Sequence, residues 1–207
     1  MSTNQHRTAV IGAPAEDLCL DFANTLSWRG SARPSESLAT LPDLLSWLAR
    51  QAQAEALAAT VTAAWAERHP KRAVRLFAEA IALREAVFRC GMALASGDIV
   101  AETDFAALNQ ALAGASPRRG LVRDAAGFAW AVEHEAHSAA ALLAPVLWSA
   151  ADLLAGADRL RVRRCANDEC LWLFVDRSKT GSRRWCDMAA CGNRAKAQRH
   201  YRRTHVS

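Results

Sequence analysis

Four cysteines within one 27-residue stretch constrain this chain more than any other feature. They are Cys165, Cys170, Cys186 and Cys191, in the pattern C-x4-C, fifteen residues, C-x4-C. Two pairs of soft thiolates joined by a short loop can close a tetrahedron around Zn²⁺ at about 2.3 Å per sulfur. The intervening length lies in the zinc-finger range, although four residues within each pair is longer than the commoner two. The competing use is two disulfides, which belong to exported chains. Met1 to Arg7 is polar and carries no signal-peptide pattern, so the expectation is a reduced, cytoplasmic protein. Four thiolates leave no open coordination position, so the expected cofactor is one structural Zn²⁺ and not a catalytic one. His200 and His205, downstream, are possible substitutes that the paired cysteines make unnecessary. Cys19 and Cys90 sit in apolar helical contexts and read as core residues.

Charge follows the cysteines. The chain of 207 residues has a net charge of +5, but residues 159–207 hold thirteen Lys and Arg against four Asp and Glu, while the first 158 residues are net acidic at −4. A basic segment of that density is the electrostatic footprint of a nucleic-acid binder, or a solvated tail. The expected division is therefore a domain over 1–158 and a basic zinc module over 159–207. No run of about 18 uncharged apolar residues occurs, so no membrane span or membrane partner is expected.

The fold class expected from periodicity is mainly α: a helical N-terminal domain with a small β-hairpin, followed by a treble-clef-like zinc module. Thr40-Leu-Pro-Asp43 predicts a helix start, with Leu41, Leu44, Leu45 and Leu48 at helical spacing beside Trp47. Leu57, Val61, Ala64 and Trp65 predict a second helix ending near His69-Pro70. A longer one from Lys71 should carry Val74, Phe77, Ile81, Leu83, Val87, Phe88 and Met92 on its buried face and stop at Gly97. Phe105, Leu108 and Leu112 predict a short helix closed by Gly114. Phe128, Trp130 and Val132 alternate after Asp124-Ala-Ala-Gly127 and predict a hairpin. Glu133 to Gly156 reads as helix with a kink at Pro145. In the basic segment, Leu160 and Val162 predict a strand leading to Cys165, and Trp172 and Phe174 a second one. A polar loop follows from Asp176 to Ser182, and then a helix from about Ala189, with Arg194, Lys196, Arg199, Arg202 and Arg203 on it.

Cys165-Ala-Asn-Asp-Glu-Cys170, Trp172-Leu-Phe-Val-Asp-Arg-Ser178 and Arg184-Trp-Cys-Asp-Met-Ala-Ala-Cys-Gly-Asn-Arg194 resemble the CGNR zinc-finger family, whose name motif stands intact as Cys191-Gly192-Asn193-Arg194. Leu18-Cys-Leu-Asp-Phe-Ala-Asn-Thr25 resembles the opening of the ABATE domain, which commonly precedes that finger in bacterial proteins. The resemblance implies a stress-induced transcription regulator. Within the motif, Cys191 is expected as the fourth ligand at a helix N-terminus. Gly192 would permit close backbone approach, and Asn193 would cap the helix or hydrogen-bond a cysteine sulfur. Arg194 would fork onto phosphate, Asp176 or Asp187. Trp185 is expected in the module's core.

The leading functional expectation is duplex DNA binding through Arg177, Lys179, Arg183, Arg184, Arg194, Lys196, Arg199, Arg202 and Arg203, with affinity that falls steeply with salt. Gln198 and Arg199 are candidates for base contacts. Tyr201 alone provides an aromatic in the basic helix, which argues against single-strand stacking, although RNA stays open as a partner. The same charges would serve a protein-interaction module that docks an acidic partner. A homodimer through the helical domain would compensate for a single weak module. An enzyme is not expected: His134, His137, Glu133 and Glu135 cluster, but no P-loop, dinucleotide fingerprint, nucleophile elbow or HExxH is present. Asp21 and Asn24, polar among Leu18, Leu20, Phe22 and Leu26, are candidate contacts for a small-molecule effector, or helix caps. Trp28, Trp47, Trp65 and Trp130 would line a pocket or fill the core.

Overall fold

The computed structural model describes residues 8–11, 16–51, 55–124, 127–133 and 138–205. In chain order its elements are β1 (Thr8–Ile11), α1 (Leu18–Ala23), β2 (Leu26–Ser27), β3 (Ser35–Glu36), α2 (Leu41–Gln51), α3 (Glu55–Arg68), α4 (Pro70–Ser96), α5 (Glu102–Gly114), β4 (Gly120–Asp124), β5 (Gly127–Glu133), α6 (Ala139–Leu142), α7 (Ala144–Ala155), β6 (Val162–Arg164), β7 (Leu173–Val175) and α8 (Asn193–His205). A 3₁₀ turn spans Ala157–Arg161 and a π-type turn spans Met188–Gly192. The fold is mainly helical, with small antiparallel hairpins and a cysteine-bearing module at its C-terminal end. No described helix is long and apolar enough to cross a membrane.

Helix α4 is the mast around which the rest is packed. Pro70 occupies its first turn, where a missing N–H costs nothing. Gly97 closes it in a left-handed conformation at φ 74°, with the Asp98 amide donating to the Ala93 carbonyl at 2.8 Å. At 27 residues it is about 40 Å long. Helices α1, α2, α3, α5 and α6 lie against it, and so do β6 and β7 of the zinc module. Helix α2 opens on the expected capping box, in which Asp43 accepts from both the Thr40 amide and the Thr40 hydroxyl. Leu44 and Leu48 then enter the core with Phe22, whose ring lies 5.3 Å from Trp47. Pro145 sits in the first turn of α7, where it separates that buried helix from α6.

Three expectations are corrected. The buried residues of α4 are Ala73, Leu76, Ala80, Arg84, Ala86, Val87, Cys90 and Gly91; of the expected face, Val87 is buried, Phe77, Ile81, Leu83, Phe88 and Met92 pack half-buried beside it, and Val74 is 69% exposed. Small side chains line the contact because they let neighbouring helices approach closely, and the larger apolar residues flank it. Second, Glu133 is not helical: it ends β5 and pairs with Thr8, so β1, which the sequence did not announce, completes a sheet in the order β1-β5-β4. The helix resumes only at Ala139, capped by the Ser138 hydroxyl, which accepts from the Ala141 amide. Third, Leu160 belongs to the 3₁₀ turn and the strand begins at Val162. The predicted β4–β5 hairpin is present, although its turn, 125–126, lies outside the described residues, as do the side chains of Leu57 and Val61.

An ion network that no periodicity could show pins the segment 25–38 onto α4. Arg84, 2% exposed, forks onto Glu36 at 2.7 and 2.8 Å and also reaches Glu85 and the Thr25 hydroxyl. Arg29 forks onto Glu85, donates to the Ala23 carbonyl and stacks on Phe88 at 3.9 Å. A charge this deeply buried survives only when paired and hydrogen-bonded, and here it is both.

The zinc module does not stand apart from this body. Val162, Leu173 and Val175 of the β6–β7 hairpin belong to the same apolar core as α1 and α4. A Cβ on Gly91 would lie 2.6 Å from a Leu173 methyl, so the glycine is a notch for the hairpin.

Candidate metal centre and nucleic-acid interface

The hairpin turn between β6 and β7 is the first half of the metal centre. Cys165 follows β6 and donates its amide to the Trp172 carbonyl at 2.8 Å; Cys170 closes the turn on the Asn167 carbonyl at 2.9 Å. Leu171, at φ 58°, takes the left-handed conformation that lets the chain reverse into β7. The second half comes from the turn that launches α8. Asp187 caps it, accepting from the Ala190 amide at 2.7 Å. The Ala166 amide donates to the Arg184 carbonyl at 2.8 Å and ties the two halves together.

The result gathers four Sγ atoms within 4.8 Å of one another. Cys170 and Cys186 lie 3.7 Å apart, and Cys186 and Cys191 3.8 Å. A tetrahedron with about 2.3 Å from centre to sulfur has edges of about 3.8 Å, so the cluster has the size of a tetrathiolate zinc site. Cys165, Cys170 and Cys191 are buried, and Cys186 is half-buried. The hydrogen bond with Cys186 pulls the Cys170 thiol well below its ordinary value, and the same contact pushes Cys186 up. The chemistry of the set is thus one that a soft dication completes: one structural Zn²⁺ held by Cys165, Cys170, Cys186 and Cys191. Cys19 and Cys90 are different. Burial pushes Cys19 up to about 12 and Cys90 up to about 11, so both stay protonated core residues.

Around the sulfurs, the structure reassigns several roles. Asn167, not Asn193, supplies the side-chain N–H to a ligand, 3.8 Å from the Cys191 sulfur, while Asn193 donates to the Ala189 carbonyl. Cys191 and Gly192 fall in the π-type turn just before α8. A Cβ on Gly192 would meet the Met188 side chain at 2.7 Å, so the close approach there is to methionine. Arg194 reaches neither Asp176 nor Asp187; its guanidinium stacks on Trp28 at 4.5 Å. Trp185 packs on the cysteines as expected, but so do Trp172 and Trp28, and Trp28 is contributed by the body.

That loop from the body is fitted closely to the metal turn. The Gly30 amide donates to the Glu169 carbonyl at 3.1 Å, and a Cβ on Gly30 would stand 1.9 Å from the Asp168 carbonyl oxygen. Asn24 acts across 149 residues: its amide donates to the Leu173 carbonyl at 2.9 Å and accepts from the Leu173 N–H at 3.0 Å. Arg177 forks onto Asp17 at 2.6 and 2.9 Å and reaches Asp158 and Glu16. Asp176, fully buried, accepts from the Ser178 and Arg183 amides and shapes the loop between β7 and Cys186.

The basic side chains divide into engaged and open ones. Arg177 is held by three carboxylates. Arg183 lies over Phe174 at 4.3 Å and donates to the Trp185 and Cys186 carbonyls. Lys179, Arg184, Arg194 and Lys196 are exposed, with no carboxylate partner among the described residues. Helix α8 carries Gln198, Arg199, His200, Arg202, Arg203 and His205, whose side chains lie outside the described ones. Arg159, Arg161 and Arg163, which count toward the basic charge of this segment, donate to backbone carbonyls. Of the His–Glu cluster, Glu133 ends a strand, and His134, Glu135 and His137 lie outside the described residues. Asp21 lies exposed on α1, with no partner among the described residues, and lines a cleft of about 290 Å³ between α1 and the module. A wider groove of about 810 Å³ runs between α4 and α5 beside the Arg89–Asp104 pair.

Comparison with known families agrees with this geometry. Residues 16–157 match the ABATE family, described as "Putative stress-induced transcription regulator", and residues 161–204 match the CGNR zinc finger. No curated protein matches the chain. With a family match over most of its length and four cysteines gathered where the finger requires them, the chain belongs to the ABATE family and carries a CGNR zinc finger at its C-terminal end.

Proposed function

We propose that the protein is a cytoplasmic, non-enzymatic transcription regulator in which the basic module, 159–207, binds duplex DNA and the helical part, 1–158, receives the signal. The observation that carries the reading is the set of exposed cations without carboxylate partners among the described residues, Lys179, Arg184, Arg194 and Lys196, leading into a helix that continues with Arg199, Arg202 and Arg203. Such side chains neutralise phosphates and release counterions, so affinity comes from backbone contacts and is salt-dependent. Arg177 serves in this reading as a staple to the body, because its carboxylate partners compete with phosphate. Zinc holds the helix in place and takes no part in chemistry. One 13-residue helix makes few contacts, so the proposal includes a homodimer that presents two modules.

The test is fluorescence anisotropy of a labelled duplex titrated with zinc-loaded protein at several salt concentrations. The expected log–log slope is about −4 to −6 for four to seven phosphates, and an Arg184→Ala, Lys196→Ala variant should flatten it by about 2. Absence of binding to any duplex at low salt would remove the reading. Preference for RNA would redirect it, and nuclease-resistant capture of a single acidic protein would replace it with an interaction module.

A further inference from the structure

The cleft between α1 and the zinc module is lined by charged and polar groups that have no partners among the described residues. Most of the polar lining is accounted for: Asn24 is used by the Leu173 backbone, and Asp17 by Arg177. Three groups are not. The Asp21 carboxylate has no hydrogen bond or ion pair among the described residues. The Trp172 indole Nε1–H is buried and has no acceptor among the described residues. The Arg183 guanidinium spends two donors on backbone carbonyls, and no carboxylate pairs with it among the described residues. All three residues line the same space, with Leu20, Phe174 and Val175 as apolar wall.

An anion, a cation and an N–H donor that line one cleft, with no opposite charge or acceptor among the described residues, offer complementary contacts to a small molecule that carries both charges. Its volume, about 290 Å³, is at the small end of ligand sites. Burial and the nearby Asp17 charge both push the Asp21 carboxyl up, as expected of a carboxylate with no cation beside it.

We propose that this cleft binds a free amino acid, with the ligand ammonium on Asp21 and its carboxylate on the Arg183 guanidinium and the Trp172 indole N–H. The ligand then bridges the body and the segment that carries the zinc ligand Cys186, so its binding favours one placement of the basic loop. Coupling of that kind is reciprocal: whatever the amino acid does to DNA affinity, DNA does to amino-acid affinity. The proposal rests on the signal-receiving role proposed above for the helical part, but occupation of the cleft is measured without DNA.

The experiment is differential scanning fluorimetry, followed by isothermal titration calorimetry, of the full zinc-loaded chain against the free amino acids at up to about 10 mM. At least one should raise the melting temperature and titrate saturably. Its N-acetyl and carboxamide derivatives should each bind about ten- to a hundredfold more weakly, because each loses one charged contact. Asp21→Asn lies on the surface and should fold, retain zinc and lose binding by a similar factor; Trp172→Phe, if it folds, should also bind more weakly. No saturable binding by any free amino acid overturns the proposal. So does binding that Asp21→Asn leaves unchanged, which would place the ligand elsewhere, for instance in the α4–α5 groove. Duplex affinity of the unliganded protein is read separately, so failure of the cleft leaves the DNA reading standing, and the reverse.

Discussion

The helical body and the zinc module solve the same problem by different means. The body buries Phe22, Leu44, Leu143 and their neighbours in one continuous apolar cluster, and its stability is spread over many contacts. The module has no such centre: its middle is four cysteines ringed by Trp28, Trp172 and Trp185. A segment of about 50 residues cannot bury enough apolar surface alone. Here it makes up the difference twice, through the metal and through the hairpin residues Val162, Leu173 and Val175, which it lends to the core of the body. What distinguishes the two regions is therefore less where they lie than what each loses when one contribution is withdrawn.

The largest break comes from withdrawing the metal. Structural zinc contributes roughly 10 kcal/mol or more of binding free energy that is also folding free energy. Chelation, or Cys170→Ser, should melt the α8 signal in far-UV circular dichroism, abolish zinc retention and lower the melting temperature of the body as well, since its core shares the hairpin. A body that melts at the same temperature with and without metal would show the two regions to be independent.

A smaller break targets the fit between them. In Gly30→Ala the new methyl would collide with the Asp168 carbonyl, so the loop carrying Trp28 must retreat from the cysteines. The expected cost is about 3 kcal/mol. Near-UV circular dichroism should report the displaced tryptophan, while zinc stoichiometry stays at one. An unchanged melting temperature would mean that the loop is not part of the module's support.

The smallest effect is acid dependence. At Glu36 and Glu85 burial pushes the carboxyls up, but the hydrogen bonds from Arg84 and Arg29 outweigh it and hold both below their ordinary value of 4.5. A depressed carboxyl in the folded state stabilises above that ordinary value and ceases to do so as pH falls through the lowered one. Glu36→Gln should thus remove part of the stability loss on acidification below about pH 5 and leave the pH of zinc release unchanged, as followed by melts and a colorimetric zinc assay. If both curves move together, the ion network and the metal site are coupled through the 25–38 segment.

What the sequence revealed of these regions depended on range. Cysteine spacing, the Thr40–Asp43 box, the Gly97 stop and the alternation from Phe128 to Val132 are local patterns, and each appears where it was expected. The pairing of β1 with β5 spans more than a hundred residues and left no local trace. Nor did the alanines of the α4 packing stripe, Ala73, Ala80 and Ala86, because alanines that face a crowded interior look the same in sequence as alanines anywhere else. Asn24 shows the limit most clearly. Its neighbours predict a polar residue on an apolar helix, but only the fold reveals that it completes the edge of a strand 149 positions away.

The notch at Gly91 bears on heredity as much as on mechanics. A finger whose hairpin is seated in another helix is not a cassette: moved to a different protein, it would carry Val162, Leu173 and Val175 into water and leave a groove on the mast it abandoned. Recombination that separates the two parts would yield two sticky fragments, so in this chain body and finger are suited to be inherited as one unit.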